Sequence, residues 1–332
     1  MEEHEKIAIV SGKRILVTGG TGSLGHEIVK TLAKYNPKEI ILISRDENKH
    51  FNMKNFYSQF SFLRFELGDI RDYKRMEEIV KNVDIVIHAA ALKHVNYSEG
   101  QPEEFIKTNI LGTKNIIDLT MKNKIPIFVG ISTDKAVKPV NVYGMTKAIQ
   151  EKLIIAANSR TKDTKFINVR YGNVIGSRGS VIPFFKEKIS KRETLPITDP
   201  NMTRYLLRIT DAVDLILYAI RNGGGGEIFV KKMPAATTID IAKALAEKLT
   251  RNRDYPVEII GIRPGEKIHE LLVSEDEMRR AHEFEEHYII YDYNILKEPK
   301  LINKDVLEYG SYNTKRLSQE EVVELLEQDG WV

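Results

Sequence analysis

The 332-residue chain predicts an α/β fold, a doubly wound parallel sheet followed by a smaller C-terminal lobe. Three observations carry this. Short apolar runs rich in Val, Ile and Leu recur without polar alternation, as in strands buried on both faces. Helical periodicities separate them, and strands alternating with helices give parallel βαβ units. A glycine-rich turn closes the first run, where such a sheet takes its ligand.

The elements follow in order. "RILVTGG" (14–20) reads as a strand entering a turn, and "HEIVKTLAKY" (26–35) has the apolar spacing of a helix. "EIILIS" (39–44), "FLRFELGD" (62–69), "DIVIHAA" (84–90), "PIFVGIST" (126–133) and "KFINVRYGN" (165–173) complete the buried strands. Helical stretches are expected at 72–82, 103–122 and 143–160. From about residue 175 the segments shorten. "NGGGGEIFV" (222–230) reads as a turn before a strand, and "TIDIAKALAEKLT" (238–250) as an amphipathic helix. We therefore divide the chain into 1–175, the dinucleotide-binding domain, and 176–332, a smaller substrate lobe. The boundary is soft, because later chain can cross back to the sheet.

Composition excludes several classes. Apolar residues make up 42% and charged residues 29%, the balance of a soluble globular protein. A net charge of +3 with dispersed basic residues gives no footprint for nucleic acid. There is no cysteine, so disulfides, thiolate metal sites and a Cys nucleophile are excluded. No run of about 18 apolar residues appears, so no membrane span is expected. The N-terminus lacks the apolar core of a signal peptide, and a cytoplasmic protein is expected. The eight histidines show no metal-type clustering, and no metal is expected.

In "TGGTGSLG" (18–25), Gly19, Gly22 and Gly25 form G-x-x-G-x-x-G between a strand and a helix. Glycines let backbone approach a pyrophosphate, and the helix N-terminus offers it free N–H groups. The spacing resembles the extended short-chain dehydrogenase/reductase superfamily, in its nucleotide-sugar-modifying branch, with a Rossmann-type fold. The second strand ends "ISRDENK" (43–49). An acid there reads the ribose hydroxyls of NAD, whereas an arginine suits the 2′-phosphate of NADP. Arg45 comes first, with Lys49 a turn later, so NADP is expected; Asp46 carries the NAD alternative. "GDIRD" (68–72) supplies Asp69 for adenine by the same resemblance. "HAAALKHV" (88–95) lies along the cofactor, where Lys93 has either a phosphate or a substrate hydroxyl within reach, or is a surface lysine. The resemblance further assigns Thr21, Ser23, Leu24, Ser44, Ile70, Ala89, Ala90, Thr108 and Val174 to the dinucleotide.

"STDKAVKPVNVYGMTK" (132–147) carries the chemistry. Tyr143 and Lys147, four apart, share a helix face. An ammonium beside a phenol favours the phenolate, so Tyr143 is expected to have a lowered pKa and to act as base for a hydroxyl proton. Thr133, at a strand end, can bond the reacting oxygen. A dehydrogenase needs no more, yet Asp134 and Lys135 stand beside Thr133. Oxidising a sugar at C4 acidifies the C5 proton. A base at C5 and an acid at the C6 oxygen then expel water, and hydride returning to C6 leaves a 4-keto-6-deoxy sugar. Asp134 must be protonated and Lys135 neutral for this, so both pKa values must be shifted.

"TDKA..P.N.YG.TK" resembles the UDP-N-acetylglucosamine 4,6-dehydratases, specifically the soluble C5-inverting group that begins pseudaminic acid synthesis. The likeness continues through "RYGNVIGSRGSVIPFF" (170–185), "ITDPNMTRYL" (197–206), "GGEIFV" (225–230) and "GIRPGEKIHELL" (261–272). It implies an NADP-dependent lyase for a UDP-sugar, with cofactor recycled in each turnover, working as a homo-oligomer. Arg178, Arg204 and Arg263 are candidates for the diphosphate, since guanidinium binds phosphate in a bidentate manner. Asn173 suits a hydroxyl or amide, the turn "RPGE" (263–266) places Arg263 and Glu266 over the nucleotide, and Lys93, Val181, Thr198 and Met202 complete the implied substrate site. The rival readings are a nucleotide-sugar epimerase, a C5-retaining dehydratase and a non-catalytic dinucleotide-binding protein.

Overall fold

The computed structural model describes residues 1–177, 179–293 and 307–332. Seven parallel strands form the centre: β1 (Arg14–Thr18), β2 (Glu39–Ser44), β3 (Leu63–Leu67), β4 (Ile85–His88), β5 (Ile127–Thr133), β6 (Lys165–Tyr171) and β7 (Ile228–Lys231). A hairpin of β8 (Ala281–Glu283) and β9 (His287–Ile290) adds antiparallel to β7. The order is β8-β9-β7-β6-β5-β4-β1-β2-β3, so the winding direction reverses between β1 and β4.

Alternation across the pleat explains the unbroken apolar runs. Ile15, Val17, Ile40, Leu42, Ile85 and Ile87 feed one buried face. Leu16, Ile41, Ile43, Val86 and Phe128 feed the other. Both faces are covered by helices, so neither has reason to be polar. The expected 103–122 helix is continuous but not uniform: Pro102–Phe105 and Thr113–Lys122 flank a π-helical stretch, Ile106–Gly112.

A third core, with Phe185, Leu195, Ile241, Leu245, Val322 and Leu326, belongs to the smaller lobe. Residues 176–332 do not stay there. The Ile209–Asn222 helix buries Ala212, Val213, Ile216 and Ile220 in the first core. β7 and the β8–β9 hairpin extend the main sheet. A cut at residue 175 therefore separates sequence but not structure, because the apolar faces of these later elements complete the first core. His282 and His287 lie in this hairpin, with Tyr288, Ile289 and Ile290 buried.

Two long-range ties matter for the site. Fully buried Arg170 on β6 meets Glu151 at 2.6 Å and Glu277 at 2.8 Å. Gly176, in a left-handed conformation, packs so closely on Trp331 that an added Cβ would lie 1.8 Å from its ring. Among the described residues, no helix is long and apolar enough to cross a membrane.

Candidate active site

A cleft of about 1180 Å³ opens over the carboxyl ends of the central strands, at the reversal of winding. It exceeds the ~300–1,000 Å³ of a single small-molecule site and has room for two nucleotide ligands. Its floor begins at the glycine turn. The Ser23–Leu32 helix starts at Gly22 with no side-chain cap, leaving its first N–H groups for a ligand. A Cβ on Gly25 would lie 1.9 Å from the Gly20 carbonyl, so only glycine lets the helix start this close to the strand. Gly25 thus shapes the turn from below, while Gly19, Thr21, Gly22, Ser23 and Leu24 line the cleft.

Ser44 accepts a hydrogen bond from Thr21 at 2.8 Å, joining the turn to the end of β2. Arg45 and Lys49 are exposed at the cleft mouth. Asp46 is engaged elsewhere: it accepts from the Lys49 backbone N–H at 3.0 Å, capping its own helix, and pairs with the Lys49 ammonium at 2.7 Å. Asp69 lies 2.7 Å from Arg71 and 3.6 Å from Arg45. Burial raises its carboxyl, but bonding to Arg71 outweighs this and holds it below the usual carboxylate range. Ile70, Ala89, Ala90, exposed Lys93 and Val174 complete this wall. Thr108 projects from the π-helical turn with its hydroxyl buried and unpartnered. The uncapped helix, the glycine cradle and this orphaned hydroxyl fit a dinucleotide.

The opening motif folds into two facing pieces. β5 ends at Thr133, and Asp134–Ala136 form a single 3₁₀ turn whose first N–H groups Thr133 helps to cap. The Val142–Asn158 helix starts at Asn141, whose side chain accepts from the Gly144 N–H at 2.7 Å and donates to the Gly265 carbonyl at 2.8 Å. Gly144 lets this helix meet the turn: a Cβ there would lie 2.2 Å from the Lys135 carbonyl. Tyr143 and Lys147 thereby face Thr133, Asp134 and Lys135 across the cleft floor.

The protonation states depart from the sequence reading in two places. Burial pushes Tyr143 up to about 12; the Lys135 charge and the Thr133 hydroxyl only partly oppose it. Burial pushes Lys147 down to about 7. Its amine bonds the Ile131 carbonyl at 2.5 Å and Gln150 at 2.6 Å, so the expected lowering of Tyr143 by Lys147 is not present in the protein alone. Asp134 is raised, as expected: burial dominates, and Lys135 only partly offsets it. Lys135 is not neutral. Burial lowers it, but Asp134 at 3.1 Å and Glu270 at 3.2 Å more than compensate, and it stays charged.

The expected substrate residues divide. Asn173, Arg263 and Glu266 line the main cleft, and Arg263 lies 3.9 Å from Glu266. Arg204 instead lines an adjoining chamber of about 120 Å³, shared with Lys135, Asn173, Glu266, Lys267 and Glu270. Val181 begins the Val181–Ser190 helix, while Thr198 donates to the sulfur of buried Met202 at 3.1 Å. These three do not line the cleft. Val181 packs instead on the core of the smaller lobe. Arg178 lies outside the described residues.

Sequence reasoning missed Glu270, in direct contact with Lys135, and Lys267, whose ammonium reaches the Val137 carbonyl at 2.5 Å. It also missed the rim residues His94, Asn96 and Tyr97. "GEKIHELL" was visible as a motif, but nothing in it singles out one carboxylate as the partner of a distant lysine.

A cleft at the switch point, a glycine-cradled dinucleotide site and a Thr/Tyr/Lys set define an extended short-chain dehydrogenase/reductase. The model of a family described as polysaccharide biosynthesis protein matches residues 15–292, and the chain belongs to that family. It is 44% identical over 331 residues to the UDP-N-acetylglucosamine 4,6-dehydratase (inverting) of Campylobacter jejuni, covering 95% of this chain and 97% of that protein. It is 43% identical over 327 residues to the UDP-glucose 4-epimerase of Rickettsia rickettsii, covering 95% of each. Among solved structures, Pen from Bacillus thuringiensis superposes with a TM-score of 0.89 at 35% identity, over 96% of this chain and 99% of that one. DesIV, a dTDP-glucose 4,6-dehydratase from Streptomyces venezuelae solved with NAD and TYD, shares the fold at a TM-score of 0.70 and 24% identity, over 77% of this chain and 86% of that one. The protein thus groups with the nucleotide-sugar dehydratases and epimerases of this superfamily.

Proposed function

We propose that the protein is an NADP-dependent UDP-N-acetylglucosamine 4,6-dehydratase that inverts C5. Its product would be UDP-2-acetamido-2,6-dideoxy-β-L-arabino-hex-4-ulose, the entry compound of pseudaminic acid synthesis. The observation that carries this is the Asp134–Lys135 pair facing Tyr143 across the cleft. An epimerase needs only the proton acceptor at C4. Two further titratable groups at the same point are what removal of water from C5 and C6 requires.

In this reading Tyr143 takes the C4 hydroxyl proton, with Thr133 bonded to the same oxygen and Lys147 lining the same cleft. The bound nicotinamide supplies the hydride acceptor and a positive charge that favours the Tyr143 phenolate. Lys135 takes the C5 proton after ceding its own to Glu270, 3.2 Å away, because Asp134 already carries a proton. Asp134, kept protonated by burial, delivers its proton to the departing C6 oxygen. Asn173, Arg204, Arg263 and Glu266 hold the UDP moiety.

The test is proton NMR of the purified protein with UDP-N-acetylglucosamine in deuterated water. A new C6 methyl signal with deuterium at C5 is expected, and couplings around C5 report its configuration. A changed C4 or C5 configuration with the C6 hydroxyl retained would make the protein an epimerase instead.

A further inference from the structure

The chemistry above uses Glu270 only to receive the Lys135 proton during turnover, which does not account for its setting in the resting site. It is 3% exposed, its Oε1 lies 3.2 Å from the Lys135 ammonium, and the guanidinium of Arg204 is 4.0 Å from the same oxygen. It is held firmly: its backbone N–H donates to the Ser311 hydroxyl at 2.9 Å, and its carbonyl accepts from the Ser311 N–H at 2.8 Å. Ser311 is in turn fixed by Thr203 at 2.6 Å. A carboxylate placed this deliberately beside a catalytic ammonium is expensive to bury and calls for a physical reason.

From the geometry we infer that Glu270 is a positioning residue that makes Asp134 the acid of the reaction, by serving as the standing counter-ion of Lys135. Two carboxylates share one ammonium, and like charges around a common cation cannot both ionise freely. The environments of the two differ. Glu270 faces Lys135, Arg204 and Lys267, so it has three cations around it. Asp134 faces Lys135 on its own turn, Thr133, Tyr143 on the catalytic helix, Tyr205 on the neighbouring strand, Lys267 and Glu270 itself. The second oxygen of each carboxylate is buried without a partner, so the difference lies in the charges around them. The proton therefore belongs to Asp134 and the negative charge to Glu270. The two pKa directions agree: Asp134 is raised, chiefly by burial. Glu270 is lowered despite burial, by Lys135, Arg204 and Lys267. Were Glu270 neutral, the Lys135 charge would fall to Asp134 alone, and Asp134 would ionise and lose its donor role.

This inference rests on the dehydratase reading for its purpose, but its test does not need turnover. Infrared difference titration of the resting protein follows the carbonyl stretch of protonated carboxyl groups. Wild type is expected to show one such band at neutral pH that Asp134→Asn removes. Glu270→Gln, nearly isosteric, should remove it too, while Glu270→Asp, which keeps the charge, should retain it. In an active enzyme, the alkaline limb of kcat should move down by about one to three pH units in Glu270→Gln, the range expected for an altered neighbouring charge. Persistence of the band in Glu270→Gln, or its absence from wild type, would overturn the inference. The second outcome needs no Glu270 variant to fold. A purely structural Glu270 would instead show lower thermal stability with band and pH limb unmoved. Failure of the dehydratase reading would appear separately, as a missing C6 methyl with the infrared result intact.

Discussion

Lys147 shows what the chemistry demands of a single residue. Its amine is enclosed between the Ile131 carbonyl and Gln150, and burial pushes it from 10.5 down to about 7. The unfolded chain binds a proton across this interval where the folded chain does not, so stability rises with pH between the two values. The cost is complete below about pH 7 and vanishes toward pH 10.5. It amounts to a few kcal/mol, at about 1.4 kcal/mol for each pH unit of difference. Lys147→Met should therefore melt at a higher temperature than wild type at neutral pH, with the advantage shrinking in alkaline buffer. Its turnover should fall by about 10²–10⁴-fold, as when a general acid–base partner is lost. Calorimetry against pH, paired with a turnover assay, checks both. Arg45 makes a second residue-scale prediction. Because Asp46 is occupied by its own helix and by Lys49, Arg45→Ala should weaken NADP much more than NAD in a binding titration; equal losses would remove the case for NADP. Tyr143, Lys147 and the Asp134–Lys135 pair were legible because their spacing is local. Glu270 was not, because its meaning depends on a lysine brought to it only by the fold. The charge of Lys135 was misread for the same reason: without Glu270, Asp134 alone gave no second anion to hold the proton.

At the scale of elements, the active site is a junction between a strand end and a helix start. Gly144 is the contact point, its hydrogen standing where a methyl would meet the Lys135 carbonyl at 2.2 Å. Gly144→Ala should help the isolated helix, since alanine is the better helix former by about 1 kcal/mol. In the protein it must push the helix away from the Asp134–Ala136 turn. The expected outcome is a fall in kcat of about 10²-fold, the size expected when reacting groups are displaced by about 1 Å. Dinucleotide affinity should be nearly unchanged, as measured by fluorescence titration. The strands were readable because both faces of a parallel sheet are dry, which leaves unbroken Val, Ile and Leu. The π-helical stretch was not readable: Ile106–Gly112 has ordinary helical spacing. The β8 strand was hidden as well, since "AHE" carries polar residues suited to the sheet's outermost edge.

For the molecule as a whole, the cluster of Arg170 with Glu151 and Glu277 joins the catalytic helix, the centre of the sheet and the chain after residue 270. Arg170→Met leaves buried Glu151 and half-buried Glu277 without their cation and should cost about 3–5 kcal/mol in chemical denaturation. The pH dependence has a definite sign. Burial raises Glu277, but the Arg170 guanidinium more than reverses this and sets it at about 2, below the ordinary 4.5. Its contribution is complete above pH 4.5 and is lost as pH falls toward 2, so wild type and Arg170→Met should converge in stability on acidification. The change of rhythm near residue 175 was visible in the sequence. The return of the Ile209–Asn222 helix to the first core was not, since an amphipathic helix does not state which core it covers.

The contact between Gly176 and Trp331 gives this molecule an internal reporter. Trp331 is the one tryptophan in the sequence, and it lies against the chain that continues through Asn173 and Ser177 into the cleft wall. Its emission therefore comes from a single, known position beside the cleft wall. Changes in intensity and wavelength can be assigned without labelling, and fourteen tyrosines act as donors that can be avoided by exciting at the red edge.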